Sequence, residues 1–279
     1  MMWHAVHAEW LKLWRLRMYR VILVLGIVLS CLWVGFMLYL MERGAPHVQE
    51  EVTRQLALPG AYLQGFMLAA GLGETFLAIV AATFIANEFS WGTWRLVLPT
   101  GLSRWQALLA KFLVLWAGAA IFVFVTASVP IIAAAIVSAV LHQPVFQMPS
   151  AEHWQLELVV LPLRSVGALI APIVLAMTVV VVTRSQAVAV GLTIGLSLSE
   201  GVLAAVLQGL GGWWAAIPRF FYLWNAQAIV RAPIFSGAPQ PGSPSFQEAI
   251  PVVLAWTILL GSLTLWWFGR RDIEVRANA

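Results

Sequence analysis

The chain has 279 residues, of which 61% are apolar and 10% charged, with a formal net charge of +4 and a mean hydropathy of +0.87. A soluble domain carries about a quarter of its residues charged, and a disordered chain is poor in apolar side chains, so both classes are excluded and the apolar mass faces lipid. The single cysteine, Cys31, excludes an internal disulfide. The cations flank apolar blocks and form no basic, aromatic-studded platform, which excludes a nucleic-acid partner.

Residues 3–18 open the chain with a helical period. At 100° per residue Trp3, Val6, Trp10, Leu13 and Trp14 share one arc, while His4, Lys12 and Arg15 lie opposite. Arg17 falls on the apolar side and is long enough to snorkel. The pattern predicts an amphipathic helix in the headgroup plane, anchored by Trp3, Trp10 and Trp14. A plain extension of the first span is the competing reading.

A spanning helix needs about 20 apolar residues. Six blocks meet that length: 21–40, 62–86, 106–138, 157–183, 186–208 and 251–269. Barrel strands would be about 10 residues long with alternating polarity. The predicted fold class is therefore all-α: six transmembrane helices preceded by an interfacial helix, in a single transmembrane domain over 1–279. In the first block Val28-Leu29-Ser30-Cys31 loosely matches a lipoprotein cleavage site. The apolar run continues through Trp33, Val34, Phe36 and Leu38, so a retained span is expected.

The third block is long for one span and short for two. Ala107–Leu141 holds about 35 residues, against about 40 plus a turn for a pair. It is read as one span that projects or bends near Pro130, with a re-entrant piece as the other option. An even span count puts Lys12, Arg15, Arg17, Arg20, Arg95, Arg104, Lys111, Arg184, Arg270, Arg271 and Arg276 on one side, 11 of the 16 basic residues. That side is expected to be cytoplasmic and to hold both termini, in a bacterial-type inner membrane. The outer connections would be 41–60, about 139–156 and 209–250. The last holds an aromatic belt from Trp213 to Trp224 and the turn-rich stretch from Gly237 to Pro244.

The cytoplasmic connection between the second and third spans, residues 87–105, has a defined pattern. Thr93 can cap a short helix that ends before Pro99, and Ser103 with Gln106 forms a capping box that starts the third span. Trp94, Leu96, Val97 and Leu98 remain to dock.

Glu88, Gly92-Thr93, Arg95 and Ser103-Arg104, followed by Lys111, resemble the corresponding segment of ABC type-2 permeases, the membrane subunits of ATP-driven exporters. The amphipathic start and the tail beginning Arg270-Arg271-Asp272-Ile273 are similar too. The resemblance implies dimeric assembly with a second copy or a sister permease, and a coupling helix that contacts cytosolic ABC ATPase subunits. Glu88, Gly92, Thr93, Trp94, Arg95 and Arg104 would form that coupling region. ATP and Mg would sit on the partner ATPase, with no cofactor on this chain. A bare capped turn with a topological role is the plainer reading of the same residues.

Three ionisable residues lie inside spans: Glu74, Arg164 and Glu200. A lone charge at the bilayer centre costs at least about 2.5–3.5 kcal/mol, so each should face protein or water. The expectation is that Arg164 and Glu200 pair, while Glu74 faces the translocation route or stays protonated. Structural glue, with Arg164 snorkelling outward, is the alternative. The fifth span repeats a small residue every fourth position, at Ala187, Gly191, Gly195 and Ser199, which permits close helix approach. The resemblance places this stripe near the dimer contact; packing within one protomer is as simple.

His4, His7, His47, His142 and His153 lack metal-ligand spacing, so no metal site is expected. No phosphate-binding Gly-x4-Gly-Lys-Ser/Thr loop and no Gly-x-Ser-x-Gly or His-Glu-x-x-His motif occurs. The leading reading is a non-catalytic permease subunit that exports an amphipathic, peptide or lipid-like substrate. A membrane-embedded enzyme acting on lipid-linked substrates through Glu74, Arg164 and Glu200 is the second. A non-transporting immunity or scaffold protein is the third.

Overall fold

The computed structural model describes residues 2–91, 103–141, 154–231 and 243–270. Among them every regular element is helical: α1 Met2–Arg15, α2 Arg17–Arg43, α3 Pro46–Leu56, α4 Gly60–Ser90, α5 Arg104–Leu141, α6 Trp154–Ala168, α7 Ile170–Thr183, α8 Gln186–Leu210, a 3-10 segment Gly212–Phe220, α9 Tyr222–Arg231 and α10 Phe246–Arg270. Six segments are long and apolar enough to cross a bilayer: α2, α4, α5, the α6–α7 pair from Leu158, α8 and α10. The all-α architecture with six spans stands as read from the sequence.

α1 and α2 are separate helices. Leu16 has extended backbone between them, so α1 is not a continuation of the first span. α1 also differs from a helix lying wholly on lipid. Its buried side chains are Glu9 and Leu13, and Leu13 and Tyr19 both close on Gly118 of α5. Tyr19 donates its hydroxyl to the Gly118 carbonyl at 2.9 Å. Trp3 and Trp14 are exposed, and Trp10, half-buried, stacks on Trp14. The helix therefore docks on α5 along one flank of the tryptophan arc.

α4 is the central rod. Small residues let its neighbours approach: a Cβ on Gly65 would stand 2.8 Å from the Ala127 carbonyl oxygen of α5. Gly26 of α2 presses on the same stretch of α5, where a Cβ would stand 2.8 Å from the Phe122 ring and from Thr126 Oγ1. Backbones meet here because side chains are absent, a recurrent solution where lipid offers no hydrophobic drive.

α5 is one helix of 38 residues with Pro130 inside it. At 1.5 Å per residue it spans about 57 Å and overshoots the hydrocarbon core. The option of a re-entrant piece is overturned. The fourth span, in contrast, is interrupted at Leu169. Pro172 has no N–H for the carbonyl of Ala168, four residues earlier, and its ring crowds that oxygen. α6 ends and α7 begins at that point.

The segment expected as an outer loop over 209–250 holds structure. Gly211 and Gly212 turn the chain at φ of +69° and +59°, which only glycine adopts without strain. After the 3-10 segment, α9 buries Tyr222, Leu223, Asn225, Ala226, Ala228, Ile229 and Val230 against α4, α6, α8 and α10. Trp213 and Phe220 stay exposed as a belt would, whereas Tyr222 is core. Residues 232–242, with most of the turn-rich stretch, lie outside the described residues, as do His142, His153 and the tail from Arg271.

Candidate functional site

Two polar centres emerge, one at the end of the bundle that carries α1 and one within the spans. At the α1 end, Glu9 and Lys12 occupy successive turns of one helix, Glu88 the last turn of α4, and Lys111 the second turn of α5. Lys111 Nζ lies 2.6 Å from Glu9 Oε2 and 3.0 Å from Glu88 Oε1. Lys12 Nζ lies 2.8 Å from Glu9 Oε1 and 3.0 Å from Glu88 Oε1. Two ammonium groups and two carboxylates thus alternate around a square of four ion pairs.

Lys111 is only 2% exposed and also sits 4.9 Å from the Phe84 ring centre. Burying such charges is tolerable only when each has an opposite neighbour and satisfied hydrogen bonds. Burial pushes the Lys12 ammonium down, but hydrogen bonds and charge from Glu9 and Glu88 outweigh it and hold it above its ordinary value.

Arg104 begins α5 and reaches the far end of the chain. Its Nη1 donates to the carbonyls of Phe268 and Gly269, both at 2.9 Å, satisfying the last turn of α10. Phe89 meets Phe268 edge-on at 6.4 Å, and Gln186 of α8 donates to Thr83 of α4 at 2.8 Å. The capping box at α5 is half formed: Ser103 N donates to Gln106 Oε1 at 3.1 Å, while Ser103 Oγ has no partner.

The structure thus places Glu88 and Arg104 at the two flanks of the predicted coupling segment. Gly92, Thr93, Trp94 and Arg95 lie outside the described residues. Glu9 and Lys12 were missed as partners of Glu88. Their signal was a carboxylate one step from Leu13 on the helical wheel, an odd place for a charge on a helix expected to face lipid.

Within the spans, Arg164 and Glu200 do not pair, correcting the expectation from sequence. Arg164, 4% exposed, donates Nε to the Ile229 carbonyl at 2.6 Å and lies 4.6 Å from the Phe246 ring. Glu200 accepts the Trp224 backbone N–H at 2.8 Å, with the N–H groups of Leu223 and Tyr222 beside it. Both charges are turned to α9: the carboxylate to its N-terminal turn and the guanidinium to its C-terminal turn. These are the ends whose unpaired donors and acceptors attract such charges.

Glu74 joins three elements. One carboxylate oxygen accepts the Ser197 hydroxyl of α8, and the other accepts Gln227 Nε2 of α9 at 2.7 Å. A cavity of about 40 Å³ lies beside it, lined by Glu74, Gln227 and Arg231 and by Ala168, Leu169 and Pro172 at the helix break.

The small-residue stripe points away from the protomer. Ala187, Gly191 and Gly195 are exposed and Ser199 is half-exposed, and a Cβ on Gly191 or Gly195 would meet nothing within 4 Å. Among the described residues nothing packs closely on the stripe at Gly191 or Gly195.

A family model described as ABC-2 family transporter protein matches residues 5–200, a range that includes the charged square, Glu74, Arg164, Glu200 and the stripe. The chain belongs to the ABC-2 transporter family. It is a multi-pass membrane permease subunit, and membership implies an ABC ATPase as its partner. No curated protein matches the chain. In this ABC-2 permease the matched range ends where Glu200 caps α9, so α9 and α10 complete the bundle beyond it.

Proposed function

We propose that this permease is the membrane subunit of an ATP-driven exporter and that its ATPase engages the segment between α4 and α5. The observation that carries this reading is the way both flanks of the segment are tied down. Glu88 locks the end of α4 to α1 and α5 through buried charge, and Arg104 locks the start of α5 to α10. A push on residues 91–103 is then transmitted to four helices, because charges paired at 2.6–3.0 Å give little. ATP and Mg belong to the ATPase chain. The α1 end faces the cytosol, supported by 11 of the 16 basic residues.

The permease works as a dimer, with a second copy or a sister permease packed on the open Gly191–Gly195 face of α8. The cargo is amphipathic, peptide or lipid-like, because the spans hold isolated polar residues and no long hydrophilic lining. The polar centres of α9 act as internal struts.

The test is co-purification of the permease with its co-expressed ATPase. Arg95→Glu should abolish recovery of the ATPase while the permease stays monodisperse. Full recovery of the ATPase with Arg95→Glu and with Gly92→Leu would reject the segment as the docking site.

A further inference from the structure

α1 meets α2 at an elbow whose position is fixed. Leu16 interrupts the helix with extended backbone, and residues on either side of it are anchored on α5. Leu13 and Tyr19 close on Gly118, whose carbonyl accepts the Tyr19 hydroxyl at 2.9 Å. Three arginines stand at this elbow, Arg15 ending α1 and Arg17 and Arg20 opening α2, and all three are exposed. Among the described residues none of them makes an ion pair or a side-chain hydrogen bond.

Like charges one helical turn apart repel, and the neighbouring sequence supplies no acid to offset them. Glu9 is the only acid before Glu42, and Lys12 and Lys111 hold it. The face that carries Arg17 is settled by burial. Arg17, Val21, Val24 and Val28 recur every three or four residues and are exposed, whereas Tyr19, Ile22, Gly26 and Ser30 on the opposite side are buried. Arg17 therefore heads a stripe of α2 that faces lipid. It precedes Val21, where the apolar run begins, by about 6 Å along the axis, which is phosphate depth beside a hydrocarbon core. Trp14, half exposed and tilted against Tyr19 at 6.0 Å, marks the same depth.

We infer that the elbow is a binding site for an anionic phospholipid, its phosphate resting among Arg15, Arg17 and Arg20 and one acyl chain lying along Val21, Val24 and Val28. A zwitterionic lipid suits it poorly, because its own ammonium cancels the charge that the arginines lack. A second copy of the chain suits it no better, since a two-fold contact centred here would set arginine against arginine. The inference requires only that α2 spans a bilayer; it does not depend on where the ATPase docks.

The full chain is reconstituted in phosphatidylcholine nanodiscs with a trace of photoactivatable lipid, either phosphatidylglycerol or phosphatidylcholine, carrying a diazirine near the carboxyl end of one acyl chain. After illumination, adducts are mapped by peptide mass spectrometry and expressed as the ratio of the two probes. The ratio should stand well above one on the elbow peptide that contains Arg15, Arg17 and Arg20. It should be near one at Leu198 and Val202 of α8, which are also exposed. Arg17→Gln should lower the elbow ratio about fivefold, the share of one basic residue near an anionic surface. Arg17→Lys should keep it, and the triple Arg15→Gln/Arg17→Gln/Arg20→Gln variant should bring it close to one. If the triple variant does not fold, Arg17→Gln and Arg20→Gln tested singly should each give the fivefold fall.

An elbow ratio near one in the wild type, or one unchanged by the glutamine variants, would overturn the proposal. So would a disulfide between two Val21→Cys chains in a Cys31→Ser background, since a second copy would then cover the stripe. Loss of the co-purifying ATPase in the triple variant with the lipid ratio unchanged would assign the arginines to the ATPase instead.

Discussion

At the scale of single residues, Lys111 faces two carboxylates at once. Removing it takes one buried cation away from Glu9 and Glu88, both buried. Lys111→Met should lower stability by about 3 kcal/mol, the low end of what breaking a buried charge pair costs, read as a fall in the detergent melting temperature. Lys12 acts in a defined pH window. Its folded-state pKa is raised above 10.5, so its contribution is complete at neutral pH and is lost only as pH rises through that raised value. The melting-temperature difference between wild type and Lys12→Gln should therefore stay constant from about pH 6 to about pH 9 and shrink in stronger alkali.

Arg164 and Glu200 carry another residue-scale expectation. Because each contacts α9 and not the other, exchanging their charges in Arg164→Glu/Glu200→Arg should not rescue the single variants. Glu200→Ala alone should cost about 1 kcal/mol, as for a lost helix N-cap. Rescue by the double exchange would show a direct pair.

At the scale of elements, glycine positions separate inner contacts from the outer face. Gly65 of α4 touches backbone, the Ala127 carbonyl, and backbone cannot rotate out of the way. Gly65→Leu should force α4 and α5 apart and cost at least about 1–3 kcal/mol, as overpacking does. Gly195→Leu enters open space and should leave the melting temperature of the isolated chain unchanged. Equal losses at both positions would contradict the assigned packing. The fourth span shows how one residue divides an element. Pro172 interrupts a run that hydropathy reads as continuous, and the gap borders the cavity beside Glu74.

For the whole molecule, α2, α8 and α10 expose most of their surface, while α4 and α7 are enclosed. An asymmetric bundle of this kind has faces left for partners. In a Cys31→Ser background, Gly195→Cys should form a disulfide-linked dimer if identical chains meet on α8. Its absence, with dimers formed instead by a cysteine on α2, would move the contact to that helix.

Span number and type were legible in the sequence because bilayer thickness imposes a length and lipid imposes an apolar composition, and both are local properties. The start of α5 was legible for a related reason: Ser103 N and Gln106 Oε1 meet within one helical turn. α9 was not, since Tyr222–Arg231 is too short for a span and its helix is stabilised by contacts from distant parts of the chain. Once α9 was missed, the partners of Arg164 and Glu200 could not be found, because an isolated acid and base in lipid suggest each other when no helix ends are known. The charged square was hidden for the same reason: Glu9, Lys12, Glu88 and Lys111 are joined across as many as 102 positions, and only packing of α1 on α5 brings them together. Local pattern decided which segments enter the membrane; tertiary packing decided which buried charges meet, since that depends on helix rotation and depth, which no short window of sequence contains.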